Sequence, residues 1–261
     1  MVDFHYVIAG SFTGFIVGLT GVGGGALMTP ILLIFFGISP TTAVATDLWF
    51  AAITKIFGVR IHNYSDNIDW KVAKYLWLGS IPISLLIVIL INFDFKILKI
   101  VILSNLIGFM LIITSIFLFL SPYLISYTKS LRNINPNRFK YFQPYLTVLS
   151  GAIWCGCVAL TSIGAGALGS LMMLYIYPFR MTPHRIIATD IVHAIPLAIV
   201  AGSGYLFTGL VDWWMLKDLL LGSIPSVICG SLIAGKISAR RIQIALAFVL
   251  IGVGGKVILL D

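Results

Sequence analysis

The sequence predicts an all-α polytopic membrane protein: two inverted five-segment repeats, each with a glycine-broken or re-entrant helical hairpin. Three observations carry that prediction. The composition is too apolar for a soluble domain, four ordered motifs recur in the second half, and each half has a glycine-rich interruption beside a short apolar segment. Of 261 residues, 59% are hydrophobic and 10% charged, with a mean hydropathy of +1.06. Soluble domains carry about 25% charged residues, so this chain belongs in a bilayer. Runs such as YVIAGSFTGFIVGLT and LWLGSIPISLLIVILI approach the ~20 apolar residues of a spanning helix.

In the first half the apolar segments are about Phe4–Thr20, Ala26–Gly37, Thr41–Ile61, Asp69–Ile91 and Phe95–Leu120. The second half gives about Pro144–Thr161, Ala167–Pro178, Pro183–Phe207, Asp212–Ile233 and Ser238–Leu260. The opening residues carry no Lys or Arg and no small-residue cleavage site, so they read as a retained helix and not as a signal peptide. Residues 1–120 form the first membrane repeat and 144–261 the second. Between them, residues 121–143 are polar, basic and punctuated by prolines, and read as a cytoplasmic linker.

The halves are copies. TGVGGGALM (Thr20–Met28) aligns with TSIGAGALG (Thr161–Gly169) at an offset of 141. ATD recurs at Ala45–Asp47 and Ala188–Asp190, DW at Asp69–Trp70 and Asp212–Trp213, and LGSIP at Leu78–Pro82 and Leu221–Pro225, all at an offset of 143. An odd number of segments per copy forces the copies into opposite orientations. With the linker in the cytoplasm, all 17 basic residues except Lys96, Lys99, Lys217 and Lys256 fall on that side, as the positive-inside rule requires. Both termini are then extracytoplasmic. Inverted repeats of this kind recur in secondary transporters, whose substrates bind near the midplane.

The net charge of +8 is explained by these loop clusters, so no nucleic-acid partner is expected. Cys155, Cys157 and Cys229 lie in apolar runs and offer no disulfide framework; the Cys-x-Cys pair points to two helix faces, which fits packing and not a metal or redox site. Neither a cofactor nor a metal is expected.

The segments after the two glycine breaks are about 18 Å long at 1.5 Å per residue, well short of the ~30 Å hydrocarbon core. Entering from opposite faces, the breaks would meet deep in the membrane, where unwound backbone is tolerated only against protein or a wet cavity. Glycine admits positive φ and close approach to the main chain, and each break exposes the N–H groups of a helix start. Thr20, Gly21, Gly23, Gly24 and Gly25, with Thr161, Ser162, Gly164 and Gly166, are therefore the candidate substrate-binding residues, forming an anion site without buried Lys or Arg. Tight helix packing is the other reading of these glycines.

Within ATD, Asp47 and Asp190 are intramembrane carboxylates and functional candidates by default. They bind a coupling proton or cation, or else brace the neighbouring break; Thr46 and Thr189 offer hydroxyls to either task. His193, one turn beyond Asp190, reads as a packed neutral histidine or a titrating member of the cavity. Lys55 lies near enough to the inner end of its segment to snorkel, and Trp70, Trp213 and Trp214 fit interface belts. Ser162 with His193 is the pair an intramembrane enzyme would use, but no Gly-x-Ser-x-Gly supports it, so the chain reads as a non-enzyme.

At these residues the sequence resembles the sulfite exporter TauE/SafE family, also described as anion permeases for sulfur compounds. GLTGVGGGALMTPILLIFFGISPTTAVATD is similar to the family's opening motif, and TSIGAGALGSLMML through TPHRIIATD to its repeat. The resemblance implies export or exchange of a small anion such as sulfite or an organosulfonate, across the inner (plasma) membrane. It carries over to Gly21, Gly23, Gly24, Gly25, Thr46 and Asp47, and to Gly164, Gly166, Thr189 and Asp190. The sequence departs from it at Ser162 and Ala165, where the first half has glycine. A proton- or cation-coupled uptake permease is the alternative. The expected partners are a small anion and the lipid bilayer, with homo-oligomerisation left open.

Overall fold

The computed structural model describes residues 2–20, 25–62, 68–92, 100–132, 136–164, 166–177, 180–233 and 239–259. Among these residues there are ten helices and no strands: α1 (Phe4–Thr20), α2 (Gly25–Phe36), α3 (Pro40–His62), α4 (Trp70–Asn92), α5 (Ile100–Arg132), α6 (Pro136–Thr161), α7 (Ala167–Ile176), α8 (Pro183–Phe207), α9 (Trp213–Ile233) and α10 (Ala239–Leu259). Five of them are long and apolar enough to cross a membrane. The chain is thus an all-α polytopic membrane protein. Helices α5 and α6 continue through most of residues 121–143, so the segment between the halves is largely helical.

Helix starts are written into the sequence at matched places in the two halves. Asp69 and Asp212 cap α4 and α9, accepting the N–H of Val72 (3.3 Å) and Met215 (3.0 Å) on Oδ1. Ser39 precedes Pro40 at the start of α3 and accepts from the Thr42 amide at 3.4 Å; Thr182 precedes Pro183 and accepts from the Arg185 amide at 3.4 Å. A capping hydroxyl before proline fits because the first turn's N–H groups have no helical partner and proline's fixed φ suits the first position. Asp3 caps α1 through the His5 amide at 3.0 Å, a bond that holds its carboxyl below the ordinary value.

The halves interlock. Helix α1 packs most extensively on α9 of the other half, and α4 on α6, while α5 pairs with α10 and α3 with α8. Register gives the directions. Gly10, Gly14 and Gly18 of α1 lie against Leu219, Ser223 and Val227 of α9, so these two run parallel. Gly79 meets Val148 and Gly151 meets Leu76 where α4 crosses α6. In contrast, Gly108 meets Gly254 and Ile258, and the Ser115 hydroxyl donates to the Ala247 carbonyl at 2.6 Å, so α5 and α10 run antiparallel. Trp49 donates to the Gly202 carbonyl at 3.1 Å while Lys55, further along α3, reaches Asp190; α3 and α8 are antiparallel as well.

Helix α3 occupies the core, with Ala43 to Leu48 all buried. Large apolar side chains such as Ile8, Leu85, Phe109 and Phe248 point outward, which water would penalise and lipid does not. Cys155 is buried, Cys157 half-buried and Cys229 exposed on that outer face.

Close approach of α1 and α9 depends on glycine. A Cβ on Gly10 would collide with the Leu219 carbonyl oxygen, and one on Gly14 would lie 2.6 Å from the Ser223 oxygen. Gly14→Leu is therefore expected to destabilise the protein by about 2–3 kcal/mol, whereas Gly252→Ala, with open space around it, leaves stability within about 0.5 kcal/mol. Thermal unfolding of the two variants in detergent checks this; equal midpoints would contradict the packing account.

Candidate functional site

The polar centre is built on α3, α8 and the α6–α7 break. Helix α6 ends at Thr161, whose hydroxyl donates to the Cys157 carbonyl at 2.7 Å and accepts the Ile163 amide at 3.2 Å. The next residue, Ser162, has φ +57 and is the one non-glycine residue with positive φ among those described; Gly164 follows with φ +95. That conformation costs an L-residue about 1–2 kcal/mol, and Gly21 occupies the aligned position of the first half. Gly166, with φ −126, precedes α7 without a side-chain cap. Trp154 covers the turn: a Cβ on Gly164 would lie 3.1 Å from its Cζ2. The predicted break is thus present in the second half, unwound and buried at Ser162, Ile163 and Gly164. In the first half Gly21, Gly23 and Gly24 lie outside the described residues, and Thr20 and Gly25 end the flanking helices.

Asp47 is fully buried and accepts a hydrogen bond on Oδ2 from Thr29 of α2 at 2.5 Å. Ser162 faces the same carboxylate from the opposite half, though its hydroxyl lacks the geometry of a hydrogen bond. Asp190 is 3% exposed, and its Oδ2 lies 3.9 Å from Nζ of Lys55, itself 3% exposed. Its Oδ1 presses on the first turn of α7, where a Cβ on Gly169 would sit 2.5 Å away. Lys55 is also the cationic neighbour of Asp47 and of His193. His193 Nε2 lies 3.0 Å from the Ser80 hydroxyl; it is bonded there and not to Ser162, so the serine–histidine pair of the enzyme alternative is not assembled in that form.

The placement of Lys55 corrects two expectations. It does not snorkel, and the centre does contain a buried cation. Position along the helix suggested an exit to the interface, but α3 lies in the core, and Asp190 from the other half neutralises the ammonium where sequence distance gave no hint of a partner.

Thr46 and Thr189 face away from this cluster and perform matched tasks. The Thr46 hydroxyl accepts the Asp212 amide at 3.2 Å, at the start of α9. The Thr189 hydroxyl accepts the Asp69 amide at 3.1 Å, at the start of α4, and donates to the Arg185 carbonyl at 2.7 Å. ATD of each half thereby ties down DW of the other. Asp69 carries a further partner that the sequence did not reveal: Arg180 Nη2 lies 3.0 Å from Oδ1 and 2.8 Å from Oδ2.

A cavity of about 10 Å³ opens beside Asp190 and His193, lined also by Trp154, Thr147, Ser150 and Gly169. That is room for one water. Beyond it the Thr147 hydroxyl lies 2.8 Å from Tyr177 Oη, and the Arg180 guanidinium stands 5.9 Å from the centre of the Tyr177 ring. A polar chain therefore runs from Asp190 toward Arg180, which is 46% exposed. The aligned positions in the first half are Tyr6 and Phe36, whose rings stack at 4.6 Å. The centre is polar toward one end and closed by aromatics toward the other.

Residues 6–257 match the family model described as "Sulfite exporter TauE/SafE". This chain belongs to the TauE/SafE family. It is 39% identical to "Probable membrane transporter protein YjnA" of Bacillus subtilis (strain 168) over 97% of this chain and 98% of that one. It is 28% identical to "Probable membrane transporter protein MJ0441" of Methanocaldococcus jannaschii over 97% and 94%, and 24% identical to "Probable membrane transporter protein YdhB" of Bacillus subtilis over 85% of each. No solved structure matches the chain. As a TauE/SafE member with several apolar helices, the protein is a multi-pass membrane transporter.

The crosswise threonine bonds make a specific prediction for this TauE/SafE protein. Thr46→Val keeps the shape and removes the acceptor, so it loosens the first turn of α9, and Thr189→Val the first turn of α4. Each costs about 1 kcal/mol. Hydrogen exchange should accelerate at the Asp212 amide in the first variant and at the Asp69 amide in the second; protection unchanged at both would refute the assignment.

Proposed function

We propose that this protein exports or exchanges a small sulfur-containing oxyanion, of the sulfite or organosulfonate class, bound near the bilayer midplane between the two helix breaks. The observation that carries the reading is the buried break at Ser162, Ile163 and Gly164, set against Asp47 of the other half within a cluster of ions that lipid cannot stabilise. Such a turn brings main-chain N–H groups and the Ser162 hydroxyl to the centre of the molecule, and oxyanions are the ligands these donors suit. Thr20, Gly21, Gly23, Gly24 and Gly25 supply the matching face from the first half in this proposal. Thr161 shapes the turn; Asp47 faces it beside Ser162 and is held to α2 of its own half by Thr29.

The antiparallel pairing of α3 with α8 and of α5 with α10 supports an inverted relation between the halves. Rocking of one half against the other around the breaks then exposes the site alternately to each side. The bias of basic residues places residues 121–143 in the cytoplasm and both termini outside an inner (plasma) membrane. A potential negative inside drives an anion outward by about 2.3 kcal/mol per charge per 100 mV, so export needs no coupling ion. Proton- or cation-coupled uptake is the second reading, favoured by Asp190 and His193 facing one water-sized cavity.

Purified protein in proteoliposomes separates the two. Sulfite counterflow is expected to respond to an imposed voltage and to ignore a pH gradient, and Ser162→Ala to slow it by about tenfold. Transport driven by a pH gradient and abolished by Asp47→Asn supports coupled uptake instead. Absence of counterflow for sulfite, thiosulfate and sulfoacetate defeats both.

A further inference from the structure

We propose that Lys55 is the charge that holds the transported anion, and that Asp190 occupies the anion's place until substrate displaces it. The inference rests on the anion-transport reading above and adds to it a residue and an exchange of partners. Lys55 belongs to the first half and Asp190 to the second, so their contact spans the boundary along which the halves move. At 3.9 Å the contact is longer than the 2.7–2.9 Å of a charge-assisted hydrogen bond, and Asp190 Oδ2 has no hydrogen-bond partner among the described residues. Lys55 has no counterpart in the repeat, where Ala198 stands at the aligned position.

The space beside Asp190 holds one water and no oxyanion in this conformation. In this proposal an anion on Lys55 takes the place of a side chain, and the carboxylate of Asp190 is the one that already lies there. A receiver for the released carboxylate is at hand. Trp154 Nε1 is a buried donor without a partner among the described residues, and it lies 3.6 Å from the same point over Gly169 that Asp190 Oδ1 approaches to 2.5 Å. In the empty carrier Asp190 keeps the ammonium neutralised; in the loaded carrier the substrate does. One cation facing one bound negative charge selects small oxyanions, with main-chain donors of the break completing their coordination.

Thermal unfolding of purified protein, titrated with sodium sulfite against sodium chloride at equal ionic strength, tests the exchange. Asp190→Asn removes the competitor and is expected to half-saturate at about tenfold lower sulfite than the wild type. Lys55→Gln combined with Asp190→Asn leaves a neutral pair that folds, and it is expected to show no sulfite-specific shift; Lys55→Arg with Asp190 intact retains part of it. A doubly neutral variant that keeps the wild-type half-saturation, or an Asp190→Asn protein that needs more sulfite, overturns the assignment while leaving anion transport standing. A wild type that neither shifts with sulfite, thiosulfate or sulfoacetate nor carries them in counterflow overturns the transport reading, and this inference with it.

Discussion

An ammonium in the core of a membrane bundle must find its counter-charge within reach, because lipid offers none and desolvation costs several kcal/mol per ion. Lys55 finds Asp190 across the boundary between the halves, with Asp47 as a second acidic neighbour. The centre follows from that requirement. Helices α3 and α8 carry the ions and lie innermost, and the α6–α7 turn is admitted to the same depth because protein surrounds it. Thr29 satisfies one oxygen of Asp47, as an unpaired carboxylate there would otherwise be costly.

Around this centre the halves are laced together and do not stack as separate blocks. Each lends its first helix to the fourth helix of the other, and small residues bring those backbones close enough for dispersion to act in a solvent that gives no hydrophobic drive. The threonine of each ATD holds the capping aspartate residue of the other half by its amide. The motif therefore combines two tasks: aspartate faces the centre, and the threonine before it anchors the helix that walls the opposite side.

Symmetry of the frame makes its exceptions informative. Lys55, His193 and Trp154 each stand on one side only, where the repeat has Ala198, Phe50 and Thr13. Thr147 and Tyr177 make a polar contact where Tyr6 and Phe36 stack. These departures concentrate along one route from Asp190 to Arg180. A carrier with two equivalent halves has no preferred direction in its architecture, so chemistry that differs between its two ends has to come from substitutions of this kind.

Much of the fold was legible in the chain itself. Apolar runs are local signals, and most of them marked a helix within a few residues; α5 runs on past Leu120 to Arg132 and α6 starts ahead of Pro144 at Pro136, where the chain between the halves is polar. The second break was legible for the same reason: Ser162 and Gly164 adopt backbone angles that a glycine-rich turn announces. Partners across the halves were not. Lys55 looked like a residue near a helix end, Thr46 and Thr189 like free hydroxyls, and Arg180 like one more loop cation. Sequence by itself determined where the helices begin, where they break and which residues are ionisable, because those depend on neighbours along the chain. Only the tertiary structure decided which ions neutralise one another, since α3 and α8 meet through packing of segments more than a hundred residues apart.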